Sequence, residues 1–147
     1  MDQSDQRDAT PLRIPGPNEP AEQLEQFSGG NPPFREKRLQ KLIVENPGVL
    51  PVSEIEPAYA PLVSLGTEIS VPSGSLDVLY VSPSGYPTLV ETKMWDNPEA
   101  RREVVGQIVE YAKDLSKWGF GDLDQAVKKA DKSGTSGILE RVQREDH

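Results

Sequence analysis

The chain has 147 residues, enough for one ordinary domain, and its 35% hydrophobic and 27% charged residues suit a soluble globular protein rather than a membrane protein. It has no cysteine and its single histidine is His147, which excludes disulfides, thiolate metal sites and histidine-based catalysis. Any metal must therefore use oxygen ligands, which suit Mg²⁺, Mn²⁺ or Ca²⁺, and the net charge of −8 argues against tight binding to a nucleic-acid duplex through charge alone.

Residues 1–33 are rich in proline and in acidic side chains. They hold six of the fourteen prolines, and six acidic residues against two basic ones. Their apolar residues are sparse and aperiodic, which predicts a largely disordered leader. The first ten residues are polar and acidic and lack the pattern of a secretory signal, so we expect a cytoplasmic protein. No apolar run reaches membrane-spanning length, and no membrane partner is expected.

Residues 34–45 have the apolar spacing of a helix. Leu39, Leu42 and Ile43 recur at helical intervals, and the Asn-Pro-Gly sequence that follows ends the helix. The polar side of this helix carries four basic residues, which form either a solvated face or a phosphate-contacting strip: Arg35, Lys37, Arg38 and Lys41.

Three β-strands are predicted next. Residues 62–71 place Val63, Leu65, Thr67, Ile69 and Val71 on one face, which is the period of a strand. Further strands are predicted at 75–82 and at 86–93, joined by a Pro-Ser-Gly turn. The short links between the three strands predict an antiparallel meander.

A long helix is predicted from residue 98, because Asn97 is a good N-cap and Pro98 suits the first helical position. Its predicted apolar stripe is Val104, Val105, Ile108, Ala112 and Leu115. Gly119 and Gly121 are predicted to end any continuation, and two short helices are predicted at 122–131 and 136–146.

Three charged residues interrupt the apolar strands. Asp77 stands alone in an apolar run, and the alternation of side chains puts Glu91 and Lys93 on one face of the third strand. Charges in such places are costly unless they are paired, bound to metal or open to water. A shared metal ion would satisfy both carboxylates and would suit phosphodiester hydrolysis, with Lys93 orienting the water or neutralising the phosphate.

This order of residues resembles the PD-(D/E)XK, or restriction-endonuclease-like, superfamily of nucleases. The matching part covers residues 34 to about 118, with Asp77 on one strand and Glu-Thr-Lys at the end of the next. Gln107 and Tyr111 match the Gln-x-x-x-Tyr helix motif of the phage-exonuclease-like and recombination-nuclease-like branch, and Glu36 matches the acid that this branch places on its first helix.

The resemblance implies a role for each matching residue. Asp77 and Glu91 would bind Mg²⁺ or Mn²⁺, the Thr92 carbonyl would be a further ligand, and Lys93 would be the catalytic lysine. Gln107 would join the catalytic set, with Glu36 and Tyr111 in supporting positions. Two further residues early in the long helix either contact phosphate or are simply solvated: Arg101 and Arg102.

The predicted fold class is α/β, a restriction-endonuclease-like core in which a helix, a three-stranded mostly antiparallel meander and a second helix follow one another. The core would span 34–118, after the leader and before a C-terminal helical extension at 119–147. The superfamily core has a fourth strand after the motif helix, yet no strand pattern follows residue 115. This strand is either short and irregular, or the chain is the front part of a longer protein with an additional C-terminal domain. An open sheet edge invites pairing, so a homodimer is a further expectation.

The function predicted from these motifs is divalent-metal-dependent hydrolysis of phosphodiester bonds, in DNA rather than RNA. The net charge and the missing strand favour an alternative, a non-catalytic nucleic-acid-binding or assembly module that retains the fold. A third hypothesis is that the chain is a structural domain in which Glu91 and Lys93 form a salt bridge.

Overall fold

A computed structural model of the chain describes residues 12–13, 15–17, 19–24, 32–93, 100–131 and 136–145, with the backbone alone at 32–34, 100–101 and 145. It comprises two units, Met1–Gly30 and Asn31–His147. In the first unit, strand β1 (Leu12–Arg13) pairs antiparallel with strand β2 (Glu22–Gln23), and all four residues are exposed. The disorder predicted for residues 1–33 stays a prediction.

The second unit begins with helix α1 (Pro32–Glu45), which confirms the first predicted helix. The Asn46 side chain donates a hydrogen bond to the Leu42 carbonyl at 3.0 Å where the helix ends. Ile43 is buried against the sheet, but Leu42 is 48% exposed, so its predicted place in the apolar face was wrong. Adjacent helical positions point about 100° apart, and the sheet covers only one of the two.

Short helical segments lead from α1 to the sheet: a 3-10 turn at Pro47–Val49, helix α2 at Val52–Ile55 and a second 3-10 turn at Pro57–Tyr59. The chain then enters the sheet without a long irregular loop.

The sheet contains strands β3 (Val63–Val71), β4 (Gly74–Val81) and β5 (Pro87–Val90) in the order β3-β4-β5. Both pairings are antiparallel, which confirms the predicted meander. A bulge in β3 between Ser64 and Gly66 breaks its regular alternation. Thr67 is exposed beyond this bulge, so its predicted place beside the buried Val63 and Leu65 was wrong.

Strand β5 is shorter than predicted. It ends at Val90, and residues 91–93 continue as irregular chain. The Thr92 N–H donates to the Asp77 carboxylate at 2.7 Å, so a side chain occupies the donor that a longer ladder would use. The prediction of a strand reaching Lys93 was therefore wrong.

Three helices follow: α3 (Ala100–Leu115), α4 (Phe120–Ala130) and α5 (Ile138–Glu145). They confirm the predicted helices, although the proposed N-cap of α3 (Asn97 with Pro98) and the link at 132–135 lie outside the described residues. Gly121 lies inside α4 rather than at a break. Gly119 instead forms the N-cap of α4, and its N–H donates to Asp122 at 2.9 Å.

Helix α3 confirms part of the predicted apolar stripe, and the rest of the stripe was wrong. Tyr111 is only 4% exposed, and Val104, Ile108 and Leu115 are half-buried around it. Val105 is 63% exposed and Ala112 is also exposed, so both were wrongly assigned to the core. Spacing alone fits either of two adjoining stripes, and docking onto the sheet selects one.

The two faces of the sheet carry separate apolar clusters. Val78 and Tyr80 on β4 pack with Ile43 of α1. Leu79 and Val81 belong to the larger cluster, to which α3, α4 and α5 contribute residues such as Tyr111, Val127 and Ile138. The fold is thus α/β with a three-stranded antiparallel sheet, and after residue 115 the described part of the chain forms helices only.

None of the helices in the described ranges is long and apolar enough to cross a membrane.

Candidate metal centre

Asp77 lies on the middle strand β4 and is half-buried. The next residue, Val78, pairs with Val90 of β5, so Asp77 lies beside the start of the segment 91–93. One oxygen of Asp77, Oδ2, accepts two hydrogen bonds from Thr92, from the N–H and from the hydroxyl, both at 2.7 Å. Thr92 is 4% exposed, so this pair of bonds is shielded from water.

The Glu91 side chain is buried. It is 4% exposed, and Oε2 has no hydrogen-bond partner within the described part of the chain. Burial raises the pKa of Glu91, and the nearby charge of Asp77 raises it further, against the opposing effects of Lys93 and of a backbone hydrogen bond from Asp77. The ionised carboxylate is therefore poorly compensated, which is a condition that a bound cation relieves.

Lys93 lies beside Glu91 even though both residues follow the end of β5. Its Nζ is 3.6 Å from Oε1 of Glu91, and its side chain is 30% exposed. That distance is longer than a strong charge-assisted hydrogen bond of about 2.7–2.9 Å, so the ammonium also has access to solvent and to a ligand. The structure thus places the predicted trio of Asp77, Glu91 and Lys93 together at one end of the β4–β5 hairpin.

Tyr111 of α3 packs against the same end of the sheet. Burial raises the pKa of Tyr111, and the charges of Glu91 and Asp77 raise it further, so the phenol lies within electrostatic reach of both acids. The Tyr111 ring lies against Gly74. If residue 74 had a Cβ atom, that atom would be 3.1 Å from the Tyr111 hydroxyl. Gly74 also has a φ of +155°, which glycine adopts most easily.

Gln107 precedes Tyr111 by one helical turn, so the two side chains share a face of α3. Its Oε1 is buried and lacks a hydrogen-bond partner among the residues that the structure describes. A buried amide oxygen without a donor is costly, and it is a suitable oxygen ligand.

The remaining predicted residues lie elsewhere. Glu36 is half-buried on α1. The apolar side of α1 packs on Val78 and Tyr80 of β4. Those two side chains point to the opposite face of the sheet from Leu79, because side chains alternate along a strand. Its supporting role stays a prediction.

The predicted basic strip lies largely on the surface. Lys37, Arg38 and Lys41 of α1 and Arg102 of α3 are exposed, Arg35 is half-buried, and the Arg101 side chain lies outside the described residues. Lys41 pairs with Glu45 at 3.6 Å. A cavity of about 380 Å³ beside α1 is lined by Lys37 and Lys41 but also by Glu45 and Glu68, so its charge is mixed.

Sequence reasoning considered only the carbonyl of Thr92 and missed its hydroxyl and N–H. Continued past Val78 and Val90, the register places Glu91 opposite Asp77 and Thr92 opposite Leu76, so the strand pattern alone does not indicate this contact.

The oxygens in this centre suit a hard divalent cation. Among the described residues, Glu91 Oε2 and, on α3 one turn before Tyr111, Gln107 Oε1 are buried without hydrogen-bond partners, and Thr92 binds only one of the two Asp77 oxygens. Across the described ranges, no group of three or more His, Cys, Asp and Glu side chains is placed to hold a metal ion. A cation here would thus use two carboxylates with neutral oxygens and water, which is a ligand set that Mg²⁺ accepts.

No protein family model, no curated protein and no solved structure matches this chain.

Proposed function

We propose that this chain is a nuclease domain of restriction-endonuclease-like type that hydrolyses phosphodiester bonds in DNA with Mg²⁺ or Mn²⁺. The observation that supports the proposal most directly is Glu91, whose side chain is 4% exposed and has one oxygen without a hydrogen-bond partner among the described residues, next to a second acid and a lysine. Buried groups of this kind, whose pKa is shifted by burial and by a specific neighbouring charge, are typical of functional sites.

In this proposal Asp77, Glu91 and Gln107 hold the cation through oxygen atoms. A divalent ion bound there supplies a nucleophilic water at near-neutral pH and offsets the charge of the phosphate. Lys93 contributes the second positive charge, since its partly exposed Nζ can contact the phosphate or orient the attacking water. Tyr111 packs the helix against the hairpin and fixes the position of Gln107.

Nucleic acid and a second copy of the chain are the proposed partners. The exposed Lys37, Arg38 and Lys41 on α1 are the candidate phosphate contacts. Strand β5 pairs only with β4 in the part of the chain that the structure describes, and the free edge is the candidate dimer contact. Light scattering on a size-exclusion column that shows a monomer at every concentration removes the dimer from the proposal.

The test is cleavage of plasmid and single-stranded DNA with Mg²⁺ or Mn²⁺ by the wild type, Lys93→Ala and Asp77→Asn. We expect both substitutions to lower the rate at least about 10²-fold, the effect of removing one stabilising group from a transition state. Lys113→Ala is the matched control, because Lys113 is exposed on α3 and its ammonium lies 3.5 Å from Glu110. Activity that is unchanged in all three variants would come from a contaminant and would overturn the proposal.

A non-catalytic nucleic-acid-binding module is the second candidate, and the net charge of −8 favours it because an enzyme that grips a duplex usually carries an excess of base. Salt-dependent DNA binding without cleavage in any divalent cation would establish this candidate instead.

A further inference from the structure

We infer that Thr92 is a specificity-determining residue, which makes the proposed centre prefer Mg²⁺ and Mn²⁺ over Ca²⁺ by holding one oxygen of Asp77. This inference rests on the proposed function, because it concerns the cation that the centre accepts.

The contact between Thr92 and Asp77 restricts the carboxylate. Both hydrogen bonds, from the N–H and from Oγ1, end on the same oxygen, Oδ2, and each measures 2.7 Å. Distances this short to a carboxylate are typical of strong, charge-assisted bonds. With two donors on Oδ2, Asp77 presents Oδ1 alone to a ligand.

The number of oxygens that a carboxylate offers matters differently to the two classes of cation. Ca²⁺ takes six to eight oxygens in flexible geometry and often binds a carboxylate through both of its oxygens. Mg²⁺ requires near-octahedral geometry, keeps several waters and is held by one or two carboxylates. A one-oxygen Asp77 therefore matches Mg²⁺ and Mn²⁺ and removes a ligand that Ca²⁺ would use.

Thr92→Val removes Oγ1 while keeping the branched shape of the side chain. The N–H alone then holds Oδ2, and the carboxylate gains freedom to turn and offer both oxygens. Residues that orient a metal ligand typically contribute 10–100-fold to metal affinity, so we expect Mn²⁺ affinity to fall about tenfold. We expect Ca²⁺ affinity to be unchanged or higher, which lowers the ratio of Mn²⁺ to Ca²⁺ affinity.

The chain offers a matched control in Ser73 and Asp114. Ser73 donates its N–H and its hydroxyl to Oδ2 of Asp114, at 2.8 and 2.6 Å, so the same pair of bonds occurs outside the proposed set of ligands. Ser73→Ala therefore removes an equivalent bond, and we expect it to leave the cation preference unchanged.

The experiment measures Mn²⁺, Mg²⁺ and Ca²⁺ binding by calorimetry and by thermal shift for the wild type, Thr92→Val, Thr92→Ser and Ser73→Ala. We expect Thr92→Ser, which keeps the hydroxyl, to retain the wild-type affinity ratio. If Thr92→Val has the same ratio of Mn²⁺ to Ca²⁺ affinity as the wild type, the inference is overturned and the proposed function is unaffected. If the ratio of Mn²⁺ to Ca²⁺ affinity falls in Thr92→Ser or in Ser73→Ala, the inference is also overturned, even if Thr92→Val fails to fold. A wild type that binds no divalent cation overturns the proposed function itself.

Discussion

The hydroxyl of Tyr80 donates a hydrogen bond of 2.9 Å to the carbonyl oxygen of Ile43. Tyr80 is fully buried on β4, and Ile43 lies two residues before the end of α1. This bond joins the helix to the middle strand on the face opposite the candidate metal centre, so it supports the sheet without taking part in the chemistry.

We expect Tyr80→Phe to lower the free energy of unfolding by about 0.5–1.5 kcal/mol, because it removes the shorter of two hydrogen bonds to the Ile43 carbonyl and leaves only the one from the Asn46 N–H, at 3.3 Å. Urea denaturation measures the change. Tyr59→Phe is the control, since Tyr59 stacks on Tyr86 at the surface with ring centroids 4.9 Å apart. The control should stay within about 0.5 kcal/mol of the wild type. Equal losses in the two variants would contradict the prediction.

Glu91→Gln should stabilise the protein near pH 7 in cation-free buffer. Because burial raises the folded-state pKa of Glu91 above its ordinary value of 4.5, the native chain holds its proton more tightly, and stability falls as the pH rises through that range. The variant avoids this loss, and Lys93, whose side chain is 30% exposed, stays solvated without the carboxylate. Thermal unfolding at several pH values should show the advantage vanish below pH 4.5.

The same variant separates a cation site from a structural salt bridge. A cation at about 100 times its dissociation constant should stabilise the wild type by about 2.7 kcal/mol and leave Glu91→Gln unchanged. If Glu91→Gln is less stable than the wild type at every pH, and if neither protein responds to Mn²⁺, Glu91 and Lys93 form a structural salt bridge instead.

Asp114→Asn should show the opposite pH dependence. The hydrogen bond from the Ser73 hydroxyl is the main cause of the lowered pKa of Asp114. A lowered folded-state pKa stabilises the native chain above the ordinary value of 3.8, and this contribution is lost as the pH falls through the lowered value. Urea denaturation should therefore find the variant less stable at neutral pH, with a gap that narrows in acid. If the difference in stability between the wild type and Asp114→Asn is constant with pH, the lowered pKa of Asp114 is refuted.

Two glycines should respond to alanine with opposite signs. At Gly137 an added Cβ would lie 2.5 Å from Oδ1 of Asp124, the oxygen that accepts the Ile138 N–H at the start of α5. We expect Gly137→Ala to destabilise the protein by about 1–3 kcal/mol through overpacking. Gly106, inside α3, has open space around it, so Gly106→Ala should stabilise by about 0.8–1.0 kcal/mol. Thermal denaturation of both variants tests these predictions. A loss of stability in Gly106→Ala would contradict them.

Local patterns were sufficient to predict the order of the elements in the second unit. The Asn-Pro sequence after Glu45 and the Pro-Ser-Gly turn before β5 act within a few residues, so helix and strand limits there follow from the chain itself. The proximity of Asp77 to Glu91 was also predictable, because a hairpin with a tight turn fixes which residues face each other.

Contacts between distant residues could not be predicted in this way. The Asp114 carboxylate accepts two hydrogen bonds from Ser73, 41 residues earlier in the chain, and nothing near Asp114 in the sequence reveals that partner. Likewise the choice between Val104 and Val105 as the buried residue of α3 depends on how the helix docks. The end of β5 at Val90 depends on Asp77, a side chain on another strand.

The two acids of the candidate centre stand on the two arms of one short β-hairpin. Closing so small a loop costs little chain entropy, and local contacts tend to form early in folding. The acidic pair therefore comes from neighbouring parts of the chain, whereas Gln107 and Tyr111 come from α3, further along. During synthesis, the arms of this hairpin emerge first and the helix that completes the centre emerges last.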